Sequence, residues 1–279
     1  MGGYPPLSLR LDLPCIMGIL NITPDSFSDG GRFDRLEAAV ARARQMADEG
    51  AAIIDVGGES TRPGSELVTL DEELRRVLPV VERLHEELTV PISVDTMKAE
   101  VARRALAAGA VLVNDVTAMR HDPEMVEVVA QGGCTVCLMH MLGEPKTVQE
   151  DPRYADVVGE VSAFLEERLE WATSRGVRQE QVLLDPGIGF GKTVEHNLLL
   201  IKDLDELALL GRPLVLGSSR KRFLGAVLGA ESGERVAGTL ATTVLGAAAG
   251  AAVFRVHDVR PNLEALRVAM AVLGAGASA

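Results

Sequence analysis

A chain of 279 residues has the size of one α/β barrel, which needs about 250 residues. Hydrophobic residues make up 47% of it, enough for a substantial core, and the formal charge of −12 without a basic run argues against a nucleic-acid partner. We expect no secretion signal, since no basic-then-apolar segment opens the chain. We also expect no membrane span, because the apolar run 238–254 is too short and too rich in Gly and Ala.

Short β-branched runs alternate with longer amphipathic segments along the chain. Eight strands are predicted, at residues 15–20, 52–56, 91–95, 111–115, 134–139, 182–185, 214–217 and 253–257. Helices are predicted at residues 35–49, 71–88, 97–108, 122–131, 156–175, 195–210, 233–250 and 261–273. Strands that are apolar almost throughout indicate a parallel sheet covered on both faces, and eight strand–helix units close a barrel. We therefore predict an α/β protein with a single (β/α)8 TIM-barrel domain over residues 1–279, with residues 7–13 as an extra strand at the bottom.

Two of the predicted connections are long, residues 21–34 after the first strand and residues 57–70 after the second. Both begin at the C-terminal ends of strands, which is the face where barrels carry their active sites. Long loops in compact domains usually have a function. We expect both loops to contribute to a site at that face.

Every predicted strand ends in, or is followed by, a polar side chain. In chain order these residues are Asn21, Asp55, Glu59, Thr61, Arg62, Asp95, Asn114, Asp115, His140, Asp185, Ser219, Arg220, Lys221, Arg255 and His257. A single Asp or Asn at such a position is often a helix cap, but capping does not explain eight strands of eight. A polar ring at one mouth of the barrel predicts a catalytic site.

The ring divides by charge into two groups. The residues suited to an anion are Asn21, Arg62, Lys221, Arg255 and His257. The segment 217–222 is predicted to open a short helix, whose first N–H groups favour anions. Asp95, Asn114 and Asp185 offer acceptors that suit a flat heterocycle with several N–H donors. The predicted ligands therefore combine a phosphate or carboxylate with such a ring.

Two short motifs resemble known sites but lack their context. Gly191-Lys192-Thr193 resembles the end of a P-loop, but the glycine required five residues before Gly191 is Pro186. Cys134 and Cys137 form a CxxC, yet residues three apart on a strand point to opposite faces. We predict buried structural thiols there, and an odd number of cysteines indicates a reducing, cytoplasmic compartment.

Eight segments spread over essentially the whole chain carry the polar ring. They read MGILNITPDSFSDGG (17–31), IIDVGGESTRPG (53–64), SVDT (93–96), NDVT (114–117), LMHM (138–141), LLDPGIGFGKT (183–193), GSSRKRFLG (217–225) and FRVHDV (254–259). In this order they resemble the dihydropteroate synthase family of pterin-binding barrels. The resemblance implies a transferase of folate biosynthesis that joins 6-hydroxymethyl-7,8-dihydropterin diphosphate to p-aminobenzoate, giving 7,8-dihydropteroate and diphosphate. It also implies a Mg²⁺ cofactor and a homodimer.

The same resemblance implies a role for each site residue. The pterin would be bound by Asp95, Asn114, Met139, Asp185, Phe190, Gly217 and Lys221. The diphosphate would be bound by Thr61, Arg62, Arg255 and His257. Mg²⁺ would be held by Asn21, with Asp29 as a second contact. The aminobenzoate would be enclosed by Phe27 and Pro63, with Ser219 nearby. The residues expected to act in catalysis are Asn21, Asp95, Lys221 and Arg255.

Two other functions remain open at this point: a pterin methyltransferase domain of the corrinoid type, and a non-catalytic pterin-binding paralogue. A methyltransferase domain need not bind diphosphate, so the residues suited to an anion argue against it. Arg222 stands where this family can have Ser, and it would either bind the aminobenzoate carboxylate or point to solvent. The small-residue run Gly238–Ala252 permits close helix packing, either in a homodimer or against the chain's own barrel.

Overall fold

The computed structural model describes residues 14–22, 32–60, 68–143, 152–229 and 235–275, with side chains of the first helix described from residue 35. The strands of this part of the chain are β1 Cys15–Asn21, β2 Ile53–Gly57, β3 Ile92–Asp95, β4 Leu112–Asp115, β5 Thr135–Met139, β6 Val182–Asp185, β7 Val215–Leu216 and β8 Val253–Val256. The α-helices are α1 Arg32–Asp48, α2 Leu70–Glu87, α3 Ala99–Ala107, α4 Met125–Gly132, α5 Val157–Thr173, α6 Val194–Lys202, α7 Leu204–Ala208, α8 Arg222–Leu228, α9 Val236–Ala248 and α10 Val259–Leu273.

All strand pairs are parallel, and the order across the sheet is β6-β5-β4-β3-β2-β1-β8-β7. The two outer strands of this order meet at a single bridge between Leu184 and Leu214. The Leu184 N–H also donates to the Pro213 carbonyl at 3.0 Å. The sheet is therefore a nearly closed barrel, and the predicted (β/α)8 fold is confirmed.

With one exception, the predicted elements agree with the structure, with ends that differ by up to three residues. The helix predicted over residues 195–210 is two helices, because Asp203 leaves the helical conformation at φ −106° and ψ 34°. Asp disfavours a helix interior, since its short side chain competes for backbone groups. Helix α3 begins two residues later than predicted, and before it the Thr96 hydroxyl accepts from the Lys98 N–H at 3.2 Å. The extra strand predicted at residues 7–13 lies outside the described residues.

The interior of the barrel contains one compact apolar layer. It consists of Met17, Ile53, Leu112, Cys137, Leu183, Val215, Ala252 and Val253. A much larger apolar cluster lies between the strands and the helices. Cys134 belongs to that outer cluster and Cys137 to the inner layer, and both are buried free thiols, as predicted. Within the described ranges, no set of three His, Cys, Asp or Glu side chains is placed to hold a metal ion.

Helix α9 uses its small residues to approach its own barrel. A Cβ on Gly246 would lie 2.5 Å from the Leu216 side chain, and one on Gly238 would lie 3.1 Å from Leu224. Of the two packing roles considered for this run, the structure shows the one within the barrel. The opposite side of α9 exposes Val244 and Leu245. Among the described helices, none combines the length and the apolar composition that crossing a membrane requires.

Candidate active site at the C-terminal mouth of the barrel

The period of a β-strand places the candidate site directly above the inner apolar layer. Side chains two positions apart point to the same face, so each interior residue is followed by one at the mouth. These pairs are Ile53 with Asp55, Ser93 with Asp95, Leu112 with Asn114, Cys137 with Met139, Leu183 with Asp185, Val215 with Gly217, and Val253 with Arg255. Seven strands therefore converge on the mouth, as the polar strand ends predicted.

Arg255 joins two carboxylates from neighbouring strands. Its Nε donates to Asp55 Oδ2 at 2.6 Å, and its Nη2 donates to Asp95 Oδ2 at 2.6 Å. Asn114 Nδ2 also donates to Asp55 Oδ2, at 3.3 Å. Burial raises the pKa of Asp95 to about 7, although the charge of Arg255 opposes this rise. Asp55 is fully buried and therefore fixes the orientation of both Arg255 and Asn114.

Asp185 and Lys221 converge on Gly217, which has no side chain of its own. Asp185 Oδ1 accepts from the Gly187 N–H at 2.7 Å. A Cβ on Gly217 would lie 3.7 Å from Asp185 Oδ2, 3.9 Å from Lys221 Nζ and 3.9 Å from Arg255 Cβ. The three side chains thus surround one point, and a ligand edge placed there would meet an acceptor and a donor together.

Burial shifts the pKa values of both Asp185 and Lys221. Burial lowers the pKa of Lys221 to about 8, and the Asp185 carboxylate opposes the change. Burial also raises the pKa of Asp185, which Lys221 and the Gly187 N–H oppose. Lys221 Nζ donates to the Ile188 carbonyl and lies 4.5 Å from the centre of the Phe190 ring. The pair is therefore held close to an aromatic surface.

An apolar wall adjoins these charges. It consists of Met97, Val116, Met139 and Met141, with Phe190 packed against them. Met139 is aligned with Asp185 in the pairing of β5 and β6, so the wall begins beside that carboxylate. A flat ring against this wall would present its polar edge to Asp185 and Lys221.

The ends of β7 and β8 are linked by a hydrogen bond between Ser219 and His257. The Ser219 hydroxyl lies 3.0 Å from His257 Nδ1 and accepts from the His257 N–H at 3.2 Å. The next residue, Arg220, has a left-handed φ of 56°, and its Nε donates to Asp258 at 2.9 Å. The predicted short helix begins at Arg222, whose side chain is exposed.

The end of β1 brings Asn21 to the same mouth. A Cβ on Gly57 would lie 3.6 Å from Asn21 Oδ1 and 3.6 Å from Asp95 Oδ2. The half-buried Asn21 amide therefore lies on the same side of β2 as the Asp95 carboxylate. This position joins the predicted metal ligand to the predicted pterin and diphosphate residues.

The chain matches the model of the pterin-binding enzyme family over residues 17–257. It is 49% identical over 258 residues to dihydropteroate synthase of Synechocystis, covering 92% of this chain and 89% of that protein. The chain belongs to the dihydropteroate synthase family. Dihydropteroate synthase of Xanthomonas albilineans, solved with 4-aminobenzoic acid, is 49% identical with a TM-score of 0.90, covering 95% of each chain. The same enzyme, solved with 7,8-dihydropteroate, aligns at 46% identity with a TM-score of 0.86, again covering 95% of each chain.

Most of the residues that the dihydropteroate synthase motifs suggested lie together at the mouth. They are Asn21, Asp95, Asn114, Met139, Asp185, Phe190, Gly217, Ser219, Lys221, Arg255 and His257. Phe27, Asp29, Thr61, Arg62 and Pro63 lie outside the described residues. The structure adds Met97, Val116 and Met141 to the site, and it pairs Asp55, a member of the predicted polar ring without an assigned ligand, with Arg255. The signal of these four residues in the sequence is position, since Asp55 shares the inward face of β2 and the others closely follow strand ends.

A buried network of ions and hydrogen bonds anchors Gly58 and Glu59, the first residues of the second long loop. Lys98 Nζ donates to Glu59 and, at 2.5 Å, to Glu73 Oε2. Thr96 donates to Glu73 Oε1 at 2.6 Å, and Arg76 donates to the Gly58 carbonyl at 2.9 Å. The loop therefore leaves β2 from a fixed base beside the end of β3.

Proposed function

We propose that this chain is a dihydropteroate synthase that condenses 6-hydroxymethyl-7,8-dihydropterin diphosphate with p-aminobenzoate, releasing diphosphate. The observation that carries this proposal is the convergence of Asp185, Lys221 and Arg255 on Gly217. The apolar wall with Phe190 lies beside Lys221. A pterin ring needs a flat apolar surface together with acceptors and donors along its edge. The family membership supplies the reaction.

The reaction exchanges one bond at the exocyclic methylene of the pterin. The bond between this carbon and the diphosphate oxygen breaks, and a bond to the arylamine nitrogen forms. The amine then loses a proton to diphosphate or solvent. Because an arylamine is a weak nucleophile, catalysis depends on the leaving group, and Arg255 and His257 stabilise the charge that develops there. Asp95 stabilises the positive charge left on the ring.

We infer that Asn21 holds a Mg²⁺ ion carried by the diphosphate. Mg²⁺ prefers oxygen ligands and is usually bound by one or two protein groups together with phosphates and waters. A single amide oxygen near Asp95 fits that pattern. When bound, the ion would neutralise charge on the leaving diphosphate. Asp29, the second expected contact, lies outside the described residues.

Removing the metal tests this inference. Chelation with EDTA should abolish turnover, and added Mg²⁺ should restore it. The melting temperature without substrate should stay within about 2 °C, because an ion that arrives with substrate contributes nothing to the folding of the free protein. A large fall in melting temperature in EDTA would indicate a structural metal site instead.

The proposed reaction is tested by following diphosphate release with purified protein and both substrates. Release should require p-aminobenzoate and should be matched by the formation of dihydropteroate. A non-catalytic paralogue would bind the pterin without releasing diphosphate. A methyltransferase domain of the corrinoid type would bind a pterin and form no dihydropteroate. Either result would refute the proposal.

We further propose that two copies associate through α9 and α10, in a cytoplasmic homodimer. The groove between these helices is lined by apolar side chains, among them Leu240 and Val244, and Val268 and Val272 on its α10 side are 66% and 68% exposed. Val268→Glu should convert a dimer into a monomer in sedimentation, whereas Leu209→Glu, at an exposed apolar residue elsewhere, should not. A wild-type monomer would refute the dimer.

The three free thiols support the proposal of a reducing, cytoplasmic compartment.

A further inference from the structure

The loop that follows Asp185 is tightly curled. We call residues 186–191 the β6 loop. Gly187, Gly189 and Gly191 all have left-handed backbone conformations, with φ of 68°, 81° and 65°. A Cβ on Gly187 would lie 1.8 Å from the His140 carbonyl oxygen, so the loop backbone rests directly on the end of β5. The loop carries Phe190, and its Gly187 N–H orients Asp185.

Lys192 is buried beneath this loop and is only 4% exposed. Its Nζ lies 2.8 Å from His140 Nδ1 and donates to the carbonyls of Gly187 and Phe190, each at 3.0 Å. An ammonium group has three donors and no acceptor, so these three partners match it completely. Burial and the charge of Lys221 lower the pKa of Lys192 well below its usual range, and the Asp185 carboxylate opposes this shift.

His140 completes this arrangement through its Nδ1. An ammonium group at Lys192 would donate to the Nδ1 lone pair, with the ring proton on Nε2, whereas a neutral amine would accept from an Nδ1–H. Burial, with the charges of Lys192 and Arg120, lowers the pKa of His140 to about 2, which keeps the ring neutral. The ring is fixed edge-on against Phe164, with 4.8 Å between ring centres. Lys192 therefore binds the loop to a rigid base.

Lys192 binds the carbonyls of Gly187 and Phe190, and both of these residues also contact the site. Gly187 also donates to Asp185 Oδ1, and Phe190 carries the ring beneath Lys221. The Gly187 carbonyl additionally accepts from the Phe190 N–H at 3.1 Å. Losing the Lys192 side-chain nitrogen would release both residues at once: the Phe190 carbonyl would lose this donor, and the Gly187 carbonyl would keep only the Phe190 N–H.

We propose that Lys192 is a positioning residue, which holds the β6 loop in the shape that presents Asp185 Oδ2 and the Phe190 ring to the same pterin. This inference rests on the proposed function, because the loop must meet a pterin. Lys192 touches no ligand itself. It acts through two backbone carbonyls.

The test is pterin binding by Lys192→Met, which keeps the apolar stem and removes the donors. Calorimetry with 6-hydroxymethylpterin should show an affinity at least about ten-fold weaker, since several buried hydrogen bonds are lost. The KM for the pterin diphosphate should rise more than kcat falls. Lys202→Met is the matched control, because Lys202 is exposed at the end of α6, and it should bind like the wild type.

Lys192→Gln is the second variant, because it is less drastic and keeps an amide donor. Folded variants that bind the pterin within about two-fold of the wild type, about 0.4 kcal/mol, would overturn the inference. Loss of the folded state in both variants would assign Lys192 to folding and would also overturn it. A wild-type protein that bound no pterin would overturn the proposed function, and this inference with it.

Discussion

Asp185→Asn replaces one carboxylate oxygen with an NH₂ group, and the hydrogen bond of Asp185 to Gly187 determines which oxygen is replaced. Asp185 Oδ1 accepts from the Gly187 N–H at 2.7 Å, so the amide oxygen of Asn keeps that bond. The amide NH₂ then takes the position of Oδ2, the carboxylate atom that lies 3.7 Å from a Cβ placed on Gly217. A donor there would oppose the N–H donors of a pterin.

The expected loss follows from the energy of a hydrogen bond to a charged group, about 1.5–3 kcal/mol. This range corresponds to a pterin affinity about ten- to a hundred-fold weaker, because each factor of ten is about 1.4 kcal/mol. The fold should persist, since the volume is unchanged and the Gly187 bond remains.

The assay is calorimetric titration with 6-hydroxymethylpterin, with turnover measured separately. Asp156→Asn is the matched control: Asp156 caps α5 by accepting from Val158 and Gly159, and Asn caps a helix about as well. That variant should bind pterin like the wild type. Unchanged affinity in Asp185→Asn would remove Asp185 from the pterin site and refute the reasoning.

Two further predictions follow from the same geometry. Gly217→Ala should stay folded, because its Cβ meets neighbours at 3.7 Å or more. It should weaken pterin binding about ten-fold by placing a methyl group between Asp185 and Lys221, and equal binding in calorimetry would contradict this. The pH profile of kcat/KM should be bell-shaped. Burial raises the pKa of Asp95 to about 7, so activity should rise as Asp95 ionises through pH 7. Burial lowers the pKa of Lys221 to about 8, so activity should fall as Lys221 loses its proton above pH 8. A profile without an alkaline limb would show that protonated Lys221 is not required.

The fold was predictable because the strands are short apolar runs that period and composition mark clearly. The mouth was predictable for a related reason, since a polar residue that ends an apolar strand is costly to bury unless it meets a partner or a ligand. The break at Asp203 was not predictable from the apolar pattern, which continues through it. One polar residue in a helix-like pattern is common and seldom ends a helix.

The pairing within the site required the structure. Arg255 is 200 residues from Asp55 and 160 from Asp95, and the sequence assigned Arg255 to diphosphate without indicating that it also pairs with these carboxylates. The sequence motif around Lys192 lacks the context of a P-loop, and nothing in its neighbours along the chain indicates burial beneath a loop. Contacts between residues that are distant along the chain form only when the barrel closes, so the sequence around each residue does not indicate them.

The pairing of Arg255 has a consequence for how the molecule is made. Asp55 and Asp95 are synthesised early, and the arginine that neutralises them lies on the last strand to leave the ribosome. Since a domain generally folds as a unit, the barrel cannot bury these two carboxylates with their partner until residue 255 has been made. Completion of the chain therefore supplies the missing strand and the missing charge in one step.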